Sequence, residues 1–163
     1  MEKERKAKQE EVFIKQIELA EELGKPLIIH CRPTLGTMDA YEDALNILNT
    51  YRISRIFGAG IAHFFSGSKE IAKKFLDLGF YISFAGPITF SDQYKEIVEY
   101  IPNNRILAET DSPFAAPLPF RGKRNEPAFV EFVIRQIANW KKLSFEETAR
   151  LTTENAKKLF KLP

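Results

Sequence analysis

Apolar residues along this chain follow two patterns, helical spacing and short continuous runs, which alternate from end to end. Residues 4–23 carry apolar side chains at helical intervals and stop before Gly24, which predicts an amphipathic helix. The run at residues 27–29 is continuously apolar and ends in His30, as expected for a buried strand of a parallel sheet. A second amphipathic helix is predicted from about residue 39 to residue 51.

The strand-then-helix pattern recurs three more times. The predicted strands cover residues 27–30, 56–62, 80–84 and 106–109, and the helices that follow them cover about 39–51, 66–78, 91–100 and 127–140. Each interval between strand starts is long enough for a strand, a loop and a crossover helix. The sequence therefore predicts an α/β fold of consecutive βα units around a parallel sheet of about four strands.

Capping signals mark the helix boundaries. Ser144 with Glu147 three residues later forms a capping box at the start of a last helix. Asn125, followed by Pro127, is predicted to be the N-cap of the preceding helix. Because no linker or low-complexity tract interrupts the pattern, residues 1–163 are predicted to form a single domain.

Both histidines of the chain stand at the ends of predicted strands. His30 closes the first strand, His63 closes the second, and Asp111 follows the fourth. The carboxyl ends of parallel strands share one edge of the sheet, and ligands bind at that edge. Two imidazoles and a carboxylate are a ligand set for a divalent metal with an open position for water. We refer to His30, His63 and Asp111 as the strand-end ligands.

Each of these residues also has a structural interpretation. A single strand-end histidine is commonly a hydrogen-bonded structural residue, and Asp111 in an Asp-Ser-Pro sequence is commonly the cap of a turn. Glu109 faces the same way as Asp111, because strand side chains alternate, and it suits either catalysis or a buried ion pair. Arg32 shares the face of His30, and it is a candidate to contact phosphate or to pair with Glu109. Cys31 points to the opposite face and is predicted to be a small core residue.

Two segments that follow strand ends suit phosphate. Ser66 opens a Ser-Gly-Ser sequence before a helix, where free N–H groups and the helix dipole favour an anion, although an ordinary N-cap explains the same residues. Arg121 and Lys123 place cations after the fourth strand, which suits a phosphodiester backbone and equally suits a solvated turn. Phe114 and Phe120 flank this segment, where they either stack on bases or cover the mouth of the fold.

Composition excludes few classes of function or binding partner. The 163 residues include 24 lysines and arginines against 22 acidic residues, a net charge of +2 that neither demands nor excludes nucleic acid as a partner. The single cysteine excludes an internal disulfide framework. A charged amino terminus and the lack of any long apolar run predict a cytoplasmic protein without a membrane span.

Four motifs resemble the TatD family of metal-dependent hydrolases. They are PLIIHCR at residues 26–32, HFFSG at 63–67, ETDSP at 109–113 and RGKRNEP at 121–127. The similarity runs in order from about residue 9 to the carboxyl end. The resemblance implies a TIM-type (β/α)8 barrel. It also implies hydrolysis of DNA phosphodiesters by metal-activated water, the activity of a deoxyribonuclease.

The resemblance implies roles for individual residues as well. His30, His63 and Asp111 match metal ligands, for which the divalent ions of Zn, Mn and Mg are the candidates. Asp111 is also expected to orient or deprotonate the attacking water, and Glu109 is expected to share in catalysis. Together with the phosphate candidates above, the expected substrate-binding set is Arg32, Ser66, Arg121, Lys123 and Asn125.

The chain departs from the family pattern in its first part. The family's His-x-His on the first strand and its metal-bridging Glu in a Gly-Glu-x-Gly-Leu-Asp-like segment have no counterpart here. The four predicted strands therefore correspond to strands 5–8, and residues 1–163 are expected to form a partial barrel that lacks the amino-terminal half. One hypothesis is a nuclease half that works with a separate amino-terminal half-barrel chain. The other is a catalytically inactive half-barrel that dimerises or acts as a binding module.

Overall fold

Four short strands lie side by side in chain order and form one parallel sheet. The arrangement is seen in a computed structural model that describes residues 2–51 and 60–163. The strands are Leu27–His30 (β1), Gly60–His63 (β2), Tyr81–Phe84 (β3) and Ile106–Ala108 (β4). The helices are Glu2–Leu23 (α1), Asp39–Thr50 (α2), Lys69–Asp77 (α3), Lys95–Tyr100 (α4), Val130–Lys141 (α5) and Phe145–Phe160 (α6). The predicted α/β fold with four parallel strands is confirmed.

One face of the sheet packs against helices α1 to α5 and forms the main core. The sheet residues of this core include Leu27, Ile29, Ala62, Ile82 and Ile106. Alternation along β1 follows from the strand period of two, since Ile29 is 7% exposed and its neighbour Ile28 is 62% exposed. Cys31 is buried in the same core, as the sequence predicted.

Within the described residues, the opposite face of the sheet has apolar cover only toward the amino-terminal ends of the strands. A small apolar cluster joins strands β2, β3 and β4 to helix α6, and its members are Ile61, Tyr81, Leu107 and Leu159. The side-chain amide of Asn155 anchors α6 by donating to the carbonyls of Asn103 and Ile106, both at 2.8 Å. At the carboxyl-terminal ends of the strands, this face of the sheet carries polar residues.

Several predicted boundaries differ from the observed ones. The second strand is observed only from residue 60, and the rest of its predicted range, residues 56–59, lies outside the described residues. The predicted helix at 91–100 begins as a 3-10 turn at Asp92–Tyr94 and becomes α-helical only in α4. The turn buries Tyr94, whose ring packs against Phe84 with centroids 6.4 Å apart, so tertiary packing sets the start of this helix.

The predicted N-cap role of Asn125 is wrong. The N-cap residue is Glu126, without a side-chain cap, and it precedes a 3-10 turn at Pro127–Phe129 that leads into α5. The Asn125 side chain instead turns back and donates to carbonyls of the segment after β4. These partners lie 15 and 11 residues before Asn125 in the sequence, so a local capping pattern could not reveal them.

The other capping predictions are confirmed. Ser144 Oγ accepts the N–H of Glu147 at 3.1 Å, and the Glu147 carboxylate accepts the N–H of Ser144 at 2.9 Å. Ser68 caps α3 by accepting the N–H of Ile71 at 3.3 Å. None of the described helices is long and apolar enough to cross a membrane.

Candidate metal centre

His30 and His63 stand next to each other at the carboxyl edge of the sheet. They are register partners at the ends of β1 and β2. Their ring centroids are 5.6 Å apart. Two imidazoles that bind one ion at ordinary zinc–nitrogen distances have centroids roughly 5 Å apart. The parallel register of the sheet therefore brings the two predicted histidine ligands to a spacing that suits a shared ion.

Glu109 fixes the orientation of the His63 ring. The Nδ1–H of His63 donates to Oε2 of Glu109 at 2.5 Å, and the backbone N–H of Phe64 donates to Oε1 at 2.8 Å. Because Nδ1 carries the proton, Nε2 of His63 keeps its lone pair for a metal. A carboxylate that holds the second nitrogen of a metal-binding histidine is a recurrent arrangement in metal sites.

Electrostatics agrees with this geometry. The hydrogen bond to Glu109 raises the pKa of His63 above its usual value, against the opposing effect of burial. Burial acts to raise the pKa of Glu109, but hydrogen bonds from His63, from the Phe64 N–H and from Ser83 outweigh it and leave that pKa below its usual value. The Glu109 carboxylate is therefore kept ionised in a half-buried place, where it pairs with His63 and not with Arg32.

Asp111 completes the group from the other side. Its Oδ1 lies 3.6 Å from Nε2 of His63, which is too long for a hydrogen bond. Two donors that each sit about 2.0–2.2 Å from one tetrahedral ion are roughly 3.4 Å apart. Asp111 therefore stands at a ligand-to-ligand spacing from the free nitrogen of His63.

Two residues at this edge hold a left-handed backbone without being glycine. Phe64 has φ of 49° and Asp111 has φ of 56°. Such a conformation costs about 1–3 kcal/mol for most residues, less for Asp, and it persists where the surrounding structure fixes it. At Phe64 it accompanies the N–H donated to Glu109, and at Asp111 it accompanies the close approach to His63.

The pair His30–His63 and the pair His63–Asp111 each have a spacing that suits one shared metal ion, but the three side chains together do not yet enclose one. Within residues 2–51 and 60–163, no three His, Cys, Asp or Glu side chains converge closely enough to enclose an ion. His63 is held in place by Glu109 and Asp111 is half-buried beside it, whereas His30 is exposed. The donor set of two imidazoles and one carboxylate suits a divalent ion, and the exposed His30 side chain is the member free to adjust toward it.

The segment that carries Asp111, residues 109–125, is called the β4 loop. Asn125 holds it together and is only 2% exposed. Its Nδ2 donates to the carbonyls of Thr110 at 2.7 Å and Phe114 at 2.6 Å, and its backbone N–H donates to the carbonyl of Pro113 at 3.0 Å. Both amide hydrogens are used within the protein, so the Asn125 side chain holds the backbone of the β4 loop on either side of Asp111.

Gly86 provides the seat for the β4 loop. A Cβ atom at this position would lie 2.0 Å from the carbonyl oxygen of Ala115, which leaves room only for glycine. Thr89 adds a second attachment, because its hydroxyl accepts the N–H of Leu118 at 2.9 Å. Gly86 was not predicted as a site residue, although its place two residues after the end of a strand was an available signal.

Ser66 is exposed at the start of the segment before α3, and it contacts Tyr41. Its backbone N–H donates to the hydroxyl of Tyr41 at 2.9 Å, and its own hydroxyl lies 3.2 Å from the same oxygen. The N-cap interpretation of this segment is the one observed, with Ser68 as the cap of α3. Tyr41 was not predicted as a site neighbour, since its contact with Ser66 joins two distant parts of the chain.

The remaining candidates are basic residues at the rim. Arg32 is exposed beside a cavity of about 660 Å³ that His30 also lines, and that cavity contains neither His63 nor Asp111. Lys123 is exposed in the β4 loop, and the guanidinium of Arg121 lies over the Phe90 ring at 4.2 Å. The structure therefore brings His63, Asp111 and Glu109 together and leaves the cations at the periphery.

The two candidate stacking residues have different environments. The ring of Phe120 stacks on Phe129 with centroids 4.1 Å apart and also contacts Phe132. Phe114 is 71% exposed. Phe120 is therefore a packing residue of the β4 loop, and Phe114 alone presents its ring to solvent.

Comparisons with known proteins agree with the motifs. The family described as TatD related DNase matches residues 1–161. The chain is 49% identical over 156 residues to the uncharacterized metal-dependent hydrolase YabD of Bacillus subtilis, with 94% of this chain and 58% of YabD covered. It is 33% identical over 161 residues to the 3'-5' ssDNA/RNA exonuclease TatD of Pantoea ananatis, with 94% of this chain and 59% of that protein covered.

A solved structure shares the fold. The crystal structure of YjjV, a TatD homolog from Escherichia coli K12, superposes with a TM-score of 0.79 at 27% sequence identity, covering 91% of this chain and 54% of that one. The chain thus spans a little over half the length of the relatives it matches, 58% for YabD. Since the family match extends over residues 1–161, the chain belongs to the family of TatD-related DNases.

Proposed function

We propose that this chain carries one half of the centre of a divalent-metal-dependent hydrolase that cleaves phosphodiester bonds of DNA. The observation that carries the proposal is the hydrogen bond of His63 Nδ1–H to Glu109, which leaves Nε2 of His63 open beside Asp111. It occurs in a chain 49% identical to a protein named a metal-dependent hydrolase and 33% identical to one named a 3'-5' ssDNA/RNA exonuclease.

His30, His63 and Asp111 are the residues that would hold the ion, with Zn, Mn and Mg as the candidates. The chemistry that a bound divalent ion supplies is a water of lowered pKa and neutralisation of charge on the phosphate. Asp111 is half-buried beside Nε2 of His63, and its carboxylate would orient the attacking water and accept its proton. The cations of Arg32, Arg121 and Lys123 would attract the substrate backbone.

Glu109 acts in this proposal through His63. Both of its oxygens are engaged within the protein, one by His63 and one by the Phe64 N–H. Its part in catalysis is therefore to fix the tautomer and position of His63 rather than to contact substrate. Asn125 has the same kind of role toward Asp111, because its amide holds the β4 loop closed.

We also propose that the sheet corresponds to strands 5–8 of a (β/α)8 barrel whose other half completes the site. Within the described residues, β1 pairs only with β2, and its other edge borders a groove of about 380 Å³ lined by Leu19, Leu23 and Ile28. Four strands cannot close a barrel of eight, and an open apolar edge calls for cover. The relatives' additional length, beyond the 58% of YabD that is matched, supplies a source for it.

The alternative of an inactive half-barrel that dimerises or acts as a binding module is less well supported. The relatives named above are a hydrolase and an exonuclease, and the positioned pair of His63 and Asp111 has no evident use in a purely structural module. The proposal accordingly favours catalysis, with the amino-terminal half supplied by another chain or by additional sequence.

The experiment measures metal-dependent cleavage of a labelled single-stranded DNA oligonucleotide. The chain is assayed with and without the portion of YabD that lies outside the matched region, and with Zn, Mn or Mg. We expect cleavage that needs the ion and that His63→Ala reduces by more than about 100-fold, since loss of even an outer partner costs about 10- to 100-fold. The control is Glu131→Gln, an exposed change on α5. No cleavage under any condition would sink the proposal.

A further inference from the structure

Phe114 combines an exposed ring with an immobilised backbone. The ring is 71% exposed. The N–H of Phe114 donates to the carbonyl of Asp111 at 2.9 Å, and its own carbonyl accepts Nδ2 of Asn125 at 2.6 Å. A single exposed aromatic is ordinary on a protein surface. It is less ordinary for an exposed aromatic residue to have its backbone held on both sides and to lie one turn from a predicted metal ligand.

The loop around Phe114 is fixed by further contacts. Ala115, the next residue, adopts a left-handed backbone with φ of 53°, and its carbonyl oxygen occupies the space that only Gly86 leaves open. The direction in which the Phe114 ring leaves the surface is therefore set before any ligand arrives. A ring presented in this way gives up little freedom on binding, which favours its use as a contact surface.

The other aromatic residues of this region are already used for packing. Phe120 stacks on Phe129 with an interplanar angle of 7°, and the Phe90 ring is covered by the guanidinium of Arg121. Both contacts hold the distal part of the β4 loop against the body of the protein. Within the β4 loop, Phe114 is left as the exposed aromatic residue, whereas the half-buried Phe64 ring packs against the histidines, with its centroid 6.1 Å from that of His63 and 6.4 Å from that of His30.

Charge at the far end of the same loop fits the same kind of ligand. Arg121, Lys123 and Arg124 are exposed there, and the first acidic residue after them in the sequence is Glu126. A strand of nucleic acid needs cations along its phosphates and an aromatic face for an unpaired base. A duplex keeps its bases stacked on one another and offers no face to a surface ring.

We infer that Phe114 is a stacking platform for an unpaired nucleobase beside the scissile phosphate. This inference rests on the proposed hydrolase function. It adds a specificity-determining residue that contacts the base, while His30, His63 and Asp111 act at the phosphate. The flat ring accepts any base, which predicts a preference for strandedness over sequence.

The test compares two substrates. One is a 12-nucleotide single-stranded oligonucleotide and the other is a strand of the same length with abasic residues in place of its bases. Stacking on one aromatic changes affinity by about 5- to 150-fold. We expect Phe114→Ala to lower the ratio of kcat/KM on the oligonucleotide to kcat/KM on the abasic strand by that factor, mainly through KM, and Phe114→Tyr to retain the ratio. The matched control is Leu118→Ala, an apolar residue of the same loop that is 45% exposed and should leave the ratio unchanged.

A binding measurement separates this inference from the hydrolase proposal. Fluorescence anisotropy of the labelled oligonucleotide, in the presence of a chelator, reports the contact without catalysis. We expect Phe114→Ala, but not Leu118→Ala, to weaken binding, and the same strand annealed into a duplex to bind more weakly than the single strand. If the wild type hydrolyses neither substrate, the proposed function fails while the binding result still decides the stacking role. Equal affinities of wild type and Phe114→Ala for the single strand, or equal losses on both substrates, would overturn the inference.

Discussion

The ends of β4 and β1 lie on the same edge of the sheet, yet the structure treats them differently. After β4, Glu109 is held by His63 and by the Phe64 N–H, and the amide of Asn125 holds the backbone on either side of Asp111. At β1, His30 is exposed and Ile28 is 62% exposed. The predicted site residues are therefore held in place after β4, whereas His30 at the end of β1 is exposed.

The difference has a plain physical cause. Strands β2 and β3 each have neighbours on both sides, and the β4 loop folds back on Gly86 and Asn125. Within the described part of the chain, β1 and β4 are both edge strands with one neighbour each, so the difference lies in the segments that follow them. Hydrogen bonds and packing fix a side chain where partners surround it, as they do in the β4 loop. The comparison teaches that the packing of the segment after a strand, and not residue type, decides which predicted ligand is held in position.

The largest expected effect separates two adjacent isoleucines of β1. Ile29→Ala should lower the free energy of unfolding by about 3 kcal/mol, because it removes buried methyl groups from the main core. Ile28→Ala should cost less than about 1 kcal/mol, since that side chain is mostly exposed. Urea denaturation of both variants checks the difference. Equal losses would show that the outer face of β1 is covered in solution, contrary to the comparison.

The next prediction concerns the β4 loop, which Asn125 holds in place. Asn125→Ala removes both amide donors and leaves the carbonyls of Thr110 and Phe114 without them, which should cost about 2–3 kcal/mol of unfolding free energy. Amide hydrogen exchange should rise throughout the β4 loop. The control is Asn139→Ala, an exposed asparagine on α5 that should change stability by less than about 0.5 kcal/mol. Unchanged exchange in the loop would mean that other contacts hold it.

Metal affinity tests the role of Glu109 as a positioning residue. Glu109→Gln keeps the size of the side chain but removes the charge that pairs with His63 and accepts the Phe64 N–H. Affinity for Zn or Mn, measured by isothermal titration calorimetry, should fall by about 10- to 100-fold. Glu126→Gln, an exposed acid beyond the β4 loop, is the matched control and should keep wild-type affinity. Equal affinity of Glu109→Gln and wild type would remove Glu109 from the site.

The smallest expected effect concerns helix caps outside the comparison. Ser144→Ala removes the capping box of α6, and Ser68→Ala removes the cap of α3. Each should lower the free energy of unfolding by about 1 kcal/mol and leave metal affinity unchanged. Thermal melts and the same calorimetric titration check both. A change of metal affinity in Ser68→Ala alone would connect α3 to the candidate centre.

Much of the fold was predictable because local rules applied. The continuous apolar runs and helical spacing identified all four strands and the helices between them, and the capping box at Ser144 was found as predicted. Where long-range packing took over, prediction failed in detail. The start of the 3-10 turn at Asp92–Tyr94 and the direction of the Asn125 side chain both depend on contacts with residues outside their own local segment.

The sequence by itself determined the parallel α/β order, the residue types at the strand ends and the family motifs that contain them. These follow from periodicity and from the short range of capping and strand signals. Only the tertiary structure decided that Glu109 holds His63, that Asn125 closes the β4 loop, and that Phe114 faces solvent while Phe120 does not. Those facts depend on contacts across strands and loops, where distance along the chain carries no information about distance in space.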